Sequence, residues 1–476
     1  MPTSNPISED GSITTFNIAG WEGDVSKNDK IKLSRTILVD ADFKVALVSR
    51  SKRVEDTHVF NHQIKLKTGP ITNQKASGRC WLFATTNILR YSIMEKLNLK
   101  EFELSQSYVL FWDKLNKANF YLENIIDTAD LPLDDRMVDY LSKNLINDSS
   151  QWDMAVNIIE ARGCTEGIVP QSIYPESFSS SSSRNLNALL RSKLREHALI
   201  LREYTTSLHQ RKPGLEKEDV VVCARAKKET LMKEVWAILT ITLGIPPNPD
   251  EKFTWDYYDK DDKSQTWTGT PVEYYKTFTS TDYPPSESFS LINDPRNSYK
   301  KLYSIDRFGN VWGGRSALYV NTEIDDLKAA VIKMIKAGEP VFFGCDYGQF
   351  SDTASGIMDL DLHQFETAFD ISFGLTKAQR LQLNESQMTH AMVISGVHLD
   401  ASEKPVRYKV ENSWGPNVGN KGYFVMTDAW FEQFVYQVVV PRSLAPKELV
   451  KVYDDGEKIM LPPWDPMGSV AESRAK

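Results

Sequence analysis

Cysteine is scarce in this chain: Cys80, Cys164, Cys223 and Cys345 are the only four in 476 residues. So few, so far apart, cannot staple a disulfide scaffold, and none has the close pairing of a zinc site. Histidine is scarce too, seven in all and scattered. His58 and His62 stand four apart but have no third ligand candidate nearby, so no metal or other cofactor is expected. No apolar run approaches the roughly 18 residues of a membrane span, which leaves no membrane partner. The first 29 residues lack the apolar core of a secretory leader. With Glu9, Asp10, Glu22, Asp24 and Asp29 they also lack the acid-poor, arginine-rich character of a mitochondrial presequence. The expected location is therefore cytoplasmic. Positive charge is not in excess either: 56 Lys and Arg against 64 Asp and Glu leave a net charge of −8. That argues against generic nucleic-acid binding as the main activity.

What remains is ordinary globular composition, 41% hydrophobic and 25% charged, in a chain long enough for two or three domains or one with large insertions. The stretch from Pro70 to Met94 organises it. A polar, glycine-containing loop, Thr72 to Arg79, leads to Cys80 and then to Trp81, Leu82, Phe83, Ile88, Leu89, Ile93 and Met94 at spacings near three and four. The spacing predicts a helix with Cys80 at or just inside its N-terminus. There the peptide dipoles and free N–H groups favour thiolate, the nucleophilic form of cysteine. A buried structural cysteine is the competing reading.

Elsewhere, Lys27 to Arg53 reads as one or two solvent-facing helices, and Ser105 as the N-cap of a second amphipathic helix. Residues 115–150 resemble an inserted connection, Trp152 to Ile159 another helix, and Ser177 to Ser183 a flexible, exposed linker. Leu186 to Leu208 and Val220 to Leu243 are amphipathic helices rich in Lys and Arg. Their charges are either solvated helix faces or a weak nucleic-acid surface. The last third is β-rich. His390 opens an apolar strand, and the alternation from Val406 to Glu411 puts Asn412 on the apolar face, where an amide needs a partner.

A cysteine that cuts an amide needs a base, a group to orient the base, and donors for the oxyanion. Gln74 with Ser77-Gly78-Arg79-Cys80-Trp81, then His390-Ala391, then Asn412-Ser413-Trp414-Gly415 resembles the papain-type pattern in its proper order. Ser77 stands where that pattern has a cysteine, and Arg79 where it has a small residue. His390 follows Cys80 by 310 residues, against about 130–150 in the usual form, so long insertions separate the halves. Within the superfamily, the stretch from Asn73 to Phe83 and the ending Trp464-Asp465-Pro466-Met467-Gly468 are similar to the bleomycin hydrolase family.

The resemblance implies an α+β, papain-like two-lobed fold with a helical lobe, an antiparallel β-barrel-like lobe and large helical insertions. It divides the chain into an N-terminal extension (1–66), a helical lobe with an insertion near 115–150 (67–175), a mainly helical insertion (176–320), a β lobe (321–460) and a C-terminal arm (461–476). It implies a thiol aminopeptidase acting on peptides with a free N-terminus, with bleomycin amide and homocysteine thiolactone as further substrates, and assembly as a homohexamer. The roles it implies are Cys80 as nucleophile, His390 as acid and base, charged in a resting ion pair, and Asn412 as orienter. Gln74 would be oxyanion donor, supported by Trp414 and Trp81, and Ala475 and Lys476 would end an arm in the cleft. Endopeptidase cleavage, or a nucleic-acid-binding or chaperone-like barrel, is the alternative.

Overall fold

Apolar runs of the second half build eleven strands of a twelve-stranded sheet, running from Lys458–Leu461 at one edge to Ser351–Asp352 at the other, and His62–Gln63 adds the twelfth beside His390–Leu399. The computed structural model that shows this describes residues 11–160, 166–211 and 214–468. Its centre is formed by Val435–Pro441, Val341–Cys345, His390–Leu399 and Pro405–Glu411, joined antiparallel. The first two of these are buried along their whole length, which is why they read as unbroken apolar runs.

Alternation sorts the side chains to two faces. Phe343, Met392, Ile394 and Val438 pack under the helix Ile324–Ala337 through Leu327, Val331 and Met334. Phe342, Ala391, Val393 and Val439 face Cys80, Trp81, Leu82 and Ala84 of the helix Cys80–Lys96. The sheet is mixed, with parallel pairs among mostly antiparallel ones, and its two edge strands do not pair. Among the described residues there is thus no closed barrel.

Three elements differ from the sequence reading. The second helix runs unbroken from Gln106 to Asp127, so the first third of the expected connection at 115–150 is a continuation of that helix. Strands Ser288–Ile292, Lys301–Ile305 and Leu318–Asn321 lie in the main sheet, ahead of the boundary drawn at 320. The serine tract is no free linker: Phe178–Ser181 is a helical turn capped by Ser177 and Ser180, and Ser180 and Ser183 are buried. Serine hydroxyls supply local caps and donors, which a composition count scores as flexibility.

The long helices Arg184–Arg211 and Lys217–Leu243 close a second core on Gln106–Asp127, through Leu122, Ile125, Leu190, Leu194, Leu231 and Val235. Lys228 and Arg202 turn inward, while Arg225 stays 47% exposed. Arg225 and Lys228 pair with buried Glu123, and Arg202 donates to the Thr128 carbonyl.

Candidate active site

The loop before the nucleophile helix is zipped to the segment after the Pro405–Glu411 strand. Asn73 bridges to Trp414, the Gly415 N–H donates to the Thr72 carbonyl (2.9 Å), and the Gln74 N–H donates to the Ser413 carbonyl (2.8 Å). Gly415 takes φ +77°, and a Cβ there would meet the Asn73 amide at 2.9 Å, so this crossing requires glycine. The zip carries Gln74 from one half of the chain to Asn412 of the other. The buried Gln74 side chain donates from Nε2 to the Ser77 carbonyl (2.7 Å) and accepts at Oε1 from the Ser413 hydroxyl (2.6 Å). Of the two Nε2 hydrogens, one is left for a ligand.

Cys80 is the first residue of its helix, as the spacing predicts. It is buried, and the nearby backbone N–H groups of Ala391, Trp81 and Cys80 itself favour its thiolate. The Ala391 contact sets the sulfur beside the residue that follows His390. His390 opens its strand, also buried, and its Nε2 lies 2.9 Å from Asn412 Oδ1. That leaves Nδ1 as the second ring nitrogen. The partner that the alternation demanded for Asn412 is therefore the imidazole. Asn412 Nδ2 is buried without a hydrogen-bond partner among the described residues. Trp414 stacks on the imidazole at 4.8 Å and 28°, and Tyr347 stands edge-on to both rings.

Burial pushes the Cys80 thiol up to about 11, against the pull of the three amides, and pushes His390 down to about 4, against its bond to Asn412. The expected resting ion pair is thus not what each group favours alone, because desolvation outweighs the helix terminus. Between those limits the two side chains hold one proton between them. Moving it from sulfur to ring creates both charges together and leaves the net charge unchanged.

Asp148 braces the helix start. It accepts from the Gly78 N–H (3.1 Å) and from Asn187 (2.9 Å), pairs with Lys114 (2.8 Å), and takes the Ser183 hydroxyl. Its carbonyl receives Trp81 Nε1 at 2.5 Å. Burial alone would raise its carboxyl, but Lys114, Ser183 and Asn187 hold it well below the usual carboxylate range.

Sequence reasoning missed Asp148, Glu176 and the role of Ser413. Only Ser413 carried a local signal, as the neighbour of Asn412. Ala475 and Lys476 lie outside the described residues. The last described segment, through Pro463 to Pro466 and Gly468, lines a cavity of ≈ 270 Å³ together with Asn147, Ser149 and Gln387, which flank Asp148 and precede His390.

A thiol at a helix N-terminus, next to an imidazole held by an amide under an indole, defines a papain-like cysteine peptidase. The comparisons with known proteins agree. The model of the peptidase C1-like family matches residues 12–468. Human bleomycin hydrolase is 41% identical over 447 residues, covering 91% of this chain and 92% of that protein. Aminopeptidase C of Streptococcus thermophilus is 42% identical, covering 90% and 92%. Cysteine proteinase 1, mitochondrial, of Saccharomyces cerevisiae is 40% identical, covering 97% and 93%. The crystal structure of PepW from Lactobacillus rhamnosis superposes with a TM-score of 0.89 at 40% identity, covering 97% of this chain and 100% of that one. The chain belongs to the peptidase C1-like family.

Proposed function

We propose the following division of labour for a cysteine aminopeptidase of the bleomycin hydrolase type, the activity class of this chain. Cys80 attacks the carbonyl of the first peptide bond while its proton passes to His390 Nδ1. The oxyanion is received by the second Nε2 hydrogen of Gln74 and by the Cys80 backbone N–H. His390 returns the proton to the leaving amine, the acyl group stays on sulfur as a thioester, and His390 then draws a proton from water to release the acid. Asn412 fixes the ring plane, Trp414 keeps water from that bond, and Trp81 anchors the helix start through Asp148. The observation that carries this reading is the His390–Asn412 bond of 2.9 Å, with Cys80 buried against Ala391, the residue after His390.

The same reading gives the arm a role. The segment lining the cavity beside Asn147 and Gln387 continues into residues 469–476, whose carboxylate would meet the substrate's α-ammonium and limit cleavage to the first residue. Bleomycin amide and homocysteine thiolactone fit the same acyl transfer. The two-lobed division with its helical insertion, a hexameric assembly and a cytoplasmic location belong to this reading as well. Assembly is supported by the first two helices, which bury nothing and expose Phe16, Trp21, Leu33 and Ile37. Lys228 and Arg202 are buried and paired, which takes these two basic side chains away from any nucleic-acid surface.

The test compares a short fluorogenic peptide carrying a free N-terminus with its N-acetylated twin, using wild type and Cys80→Ala. Cleavage of the free form alone, abolished in the variant, is the expected result. Equal cleavage of both forms removes the arm's role. Turnover that survives in Cys80→Ala removes the mechanism.

A further inference from the structure

Arg79 is the buried charged side chain of the loop, wholly enclosed and unused by the reaction. It caps the nucleophile helix without a side-chain cap bond, its guanidinium resting over the Phe83 ring at 5.1 Å. Its polar contacts lead elsewhere. Nε donates to Ser77 Oγ (2.8 Å), and Nη1 and Nη2 fork onto Glu176 (2.8 and 3.0 Å). Ser77 Oγ in turn donates to the Gln74 carbonyl (2.6 Å), which Nη2 also approaches at 3.5 Å. Glu176 is held from outside by the hydroxyls of Ser180 (2.7 Å) and Ser181 (3.0 Å). A buried guanidinium is retained only where its donors are matched, and the planar fork fixes direction as well as charge.

The chain of bonds therefore runs from the serine turn through Glu176, Arg79 and Ser77 to the backbone of Gln74. We infer that the Arg79–Glu176 pair is a positioning device for the Gln74 amide, acting through Ser77, so that the tight turn before the nucleophile presents Nε2 to the oxyanion. Glu176 neutralises Arg79, so the pair offers Cys80 little net field. Its effect reaches the reaction by geometry. This inference rests on Gln74 as oxyanion donor.

The experiment is a set of double-mutant cycles in the full chain on a free-N-terminus peptide, with iodoacetamide alkylation of Cys80 as a second readout that needs no oxyanion donor. Gln74→Ala alone lowers kcat about 100- to 1,000-fold. Glu176→Gln and Ser77→Ala each lower kcat about 10-fold, with KM and the alkylation rate within about 3-fold of wild type. In the Gln74→Ala background neither lowers kcat further. Ser77→Ala cuts the link without stranding a charge, so the test survives if Glu176→Gln fails to fold. Multiplicative losses in the double variants, or alkylation that slows in step with kcat, overturn the positioning role while leaving Gln74 in place. Wild-type turnover in Gln74→Ala removes the oxyanion assignment itself, and this inference with it.

Discussion

Replacing Asn412 with alanine removes the only hydrogen-bond partner of His390 Nε2 among the described residues, a bond of 2.9 Å between two buried side chains. In the transition state the ring is an imidazolium, and a hydrogen bond from a charged donor contributes about 1.5–3 kcal/mol. At about 1.4 kcal/mol per factor of ten, kcat falls about 10- to 150-fold. The bond strengthens as charge develops, so kcat and kcat/KM fall together and KM changes little. Asn412 Oδ1 also accepts from the Ser413 N–H at 2.8 Å, and Ser413 holds Gln74. Losing that acceptor costs about 1–3 kcal/mol of stability, visible as a lowered Tm. Steady-state kinetics on a free-N-terminus peptide, with Tm measured alongside, separates the two effects. A folded Asn412→Ala enzyme whose kcat stays within about threefold of wild type refutes the reasoning, because the ring would then be held by packing under Trp414 alone.

Three further outcomes are expected. His390 sits at about 4 instead of 6.5, so its neutral form supports the fold fully above pH 6.5, and that support is lost as pH falls toward 4. The loss is about 3 kcal/mol. Denaturation at pH 7 and pH 4 should show a steeper decline for wild type than for His390→Gln, and equal declines would contradict the buried neutral ring. Gly422 takes φ +87°, and a Cβ there would lie 2.5 Å from Ile71 Cβ, so Gly422→Ala should cost about 3 kcal/mol or more by denaturant titration. An unchanged midpoint would mean the turn can rearrange freely. Glu123→Ala removes the close carboxylate of Lys228, which is 6% exposed and paired with it at 2.5 Å, and leaves it Asn119 and a more distant Glu229. It should cost about 3–5 kcal/mol, and Glu123→Gln less; a neutral effect would show that Lys228 finds water.

Much of the site was legible because it is made of local pattern. The 3.6-residue spacing after Cys80 put that residue at a helix start, and the alternation before Asn412 put an amide among apolar side chains, which is where both stand. The His390 strand was legible as an apolar run bearing one imidazole. What could not be read was whatever depends on a partner far along the chain. Asp148 looks like one acid among Asn and Ser, yet it ties Gly78, Trp81 and Lys114 together. The serine tract has the composition of a linker, and only the positions of Glu176 and Asp148 turn its hydroxyls into structure. The strands between 288 and 321 were placed with the inserted helices, because their partners include Val435–Pro441, more than a hundred residues away.

Burial and nucleophilicity oppose each other at Cys80, and the geometry shows how they are reconciled. A thiol pushed up to about 11 is a poor nucleophile at neutral pH, and a ring pushed down to about 4 is a poor general acid. Burial penalises a charge that appears alone on either side chain. A proton moved from sulfur to ring makes the two charges simultaneously, each next to the other, with the Ala391 and Trp81 N–H groups favouring the thiolate and Asn412 on the ring. Those groups are fixed before substrate arrives, so they need not reorganise when the charges form. Below about 4 the pair carries a second proton, and above about 11 it carries none. Alkylation of Cys80 by a neutral reagent should therefore vary little across the interval wherever the fold persists. A rise in rate of tenfold per pH unit through neutrality would instead mark a thiol that ionises alone, with His390 taking no share of its proton.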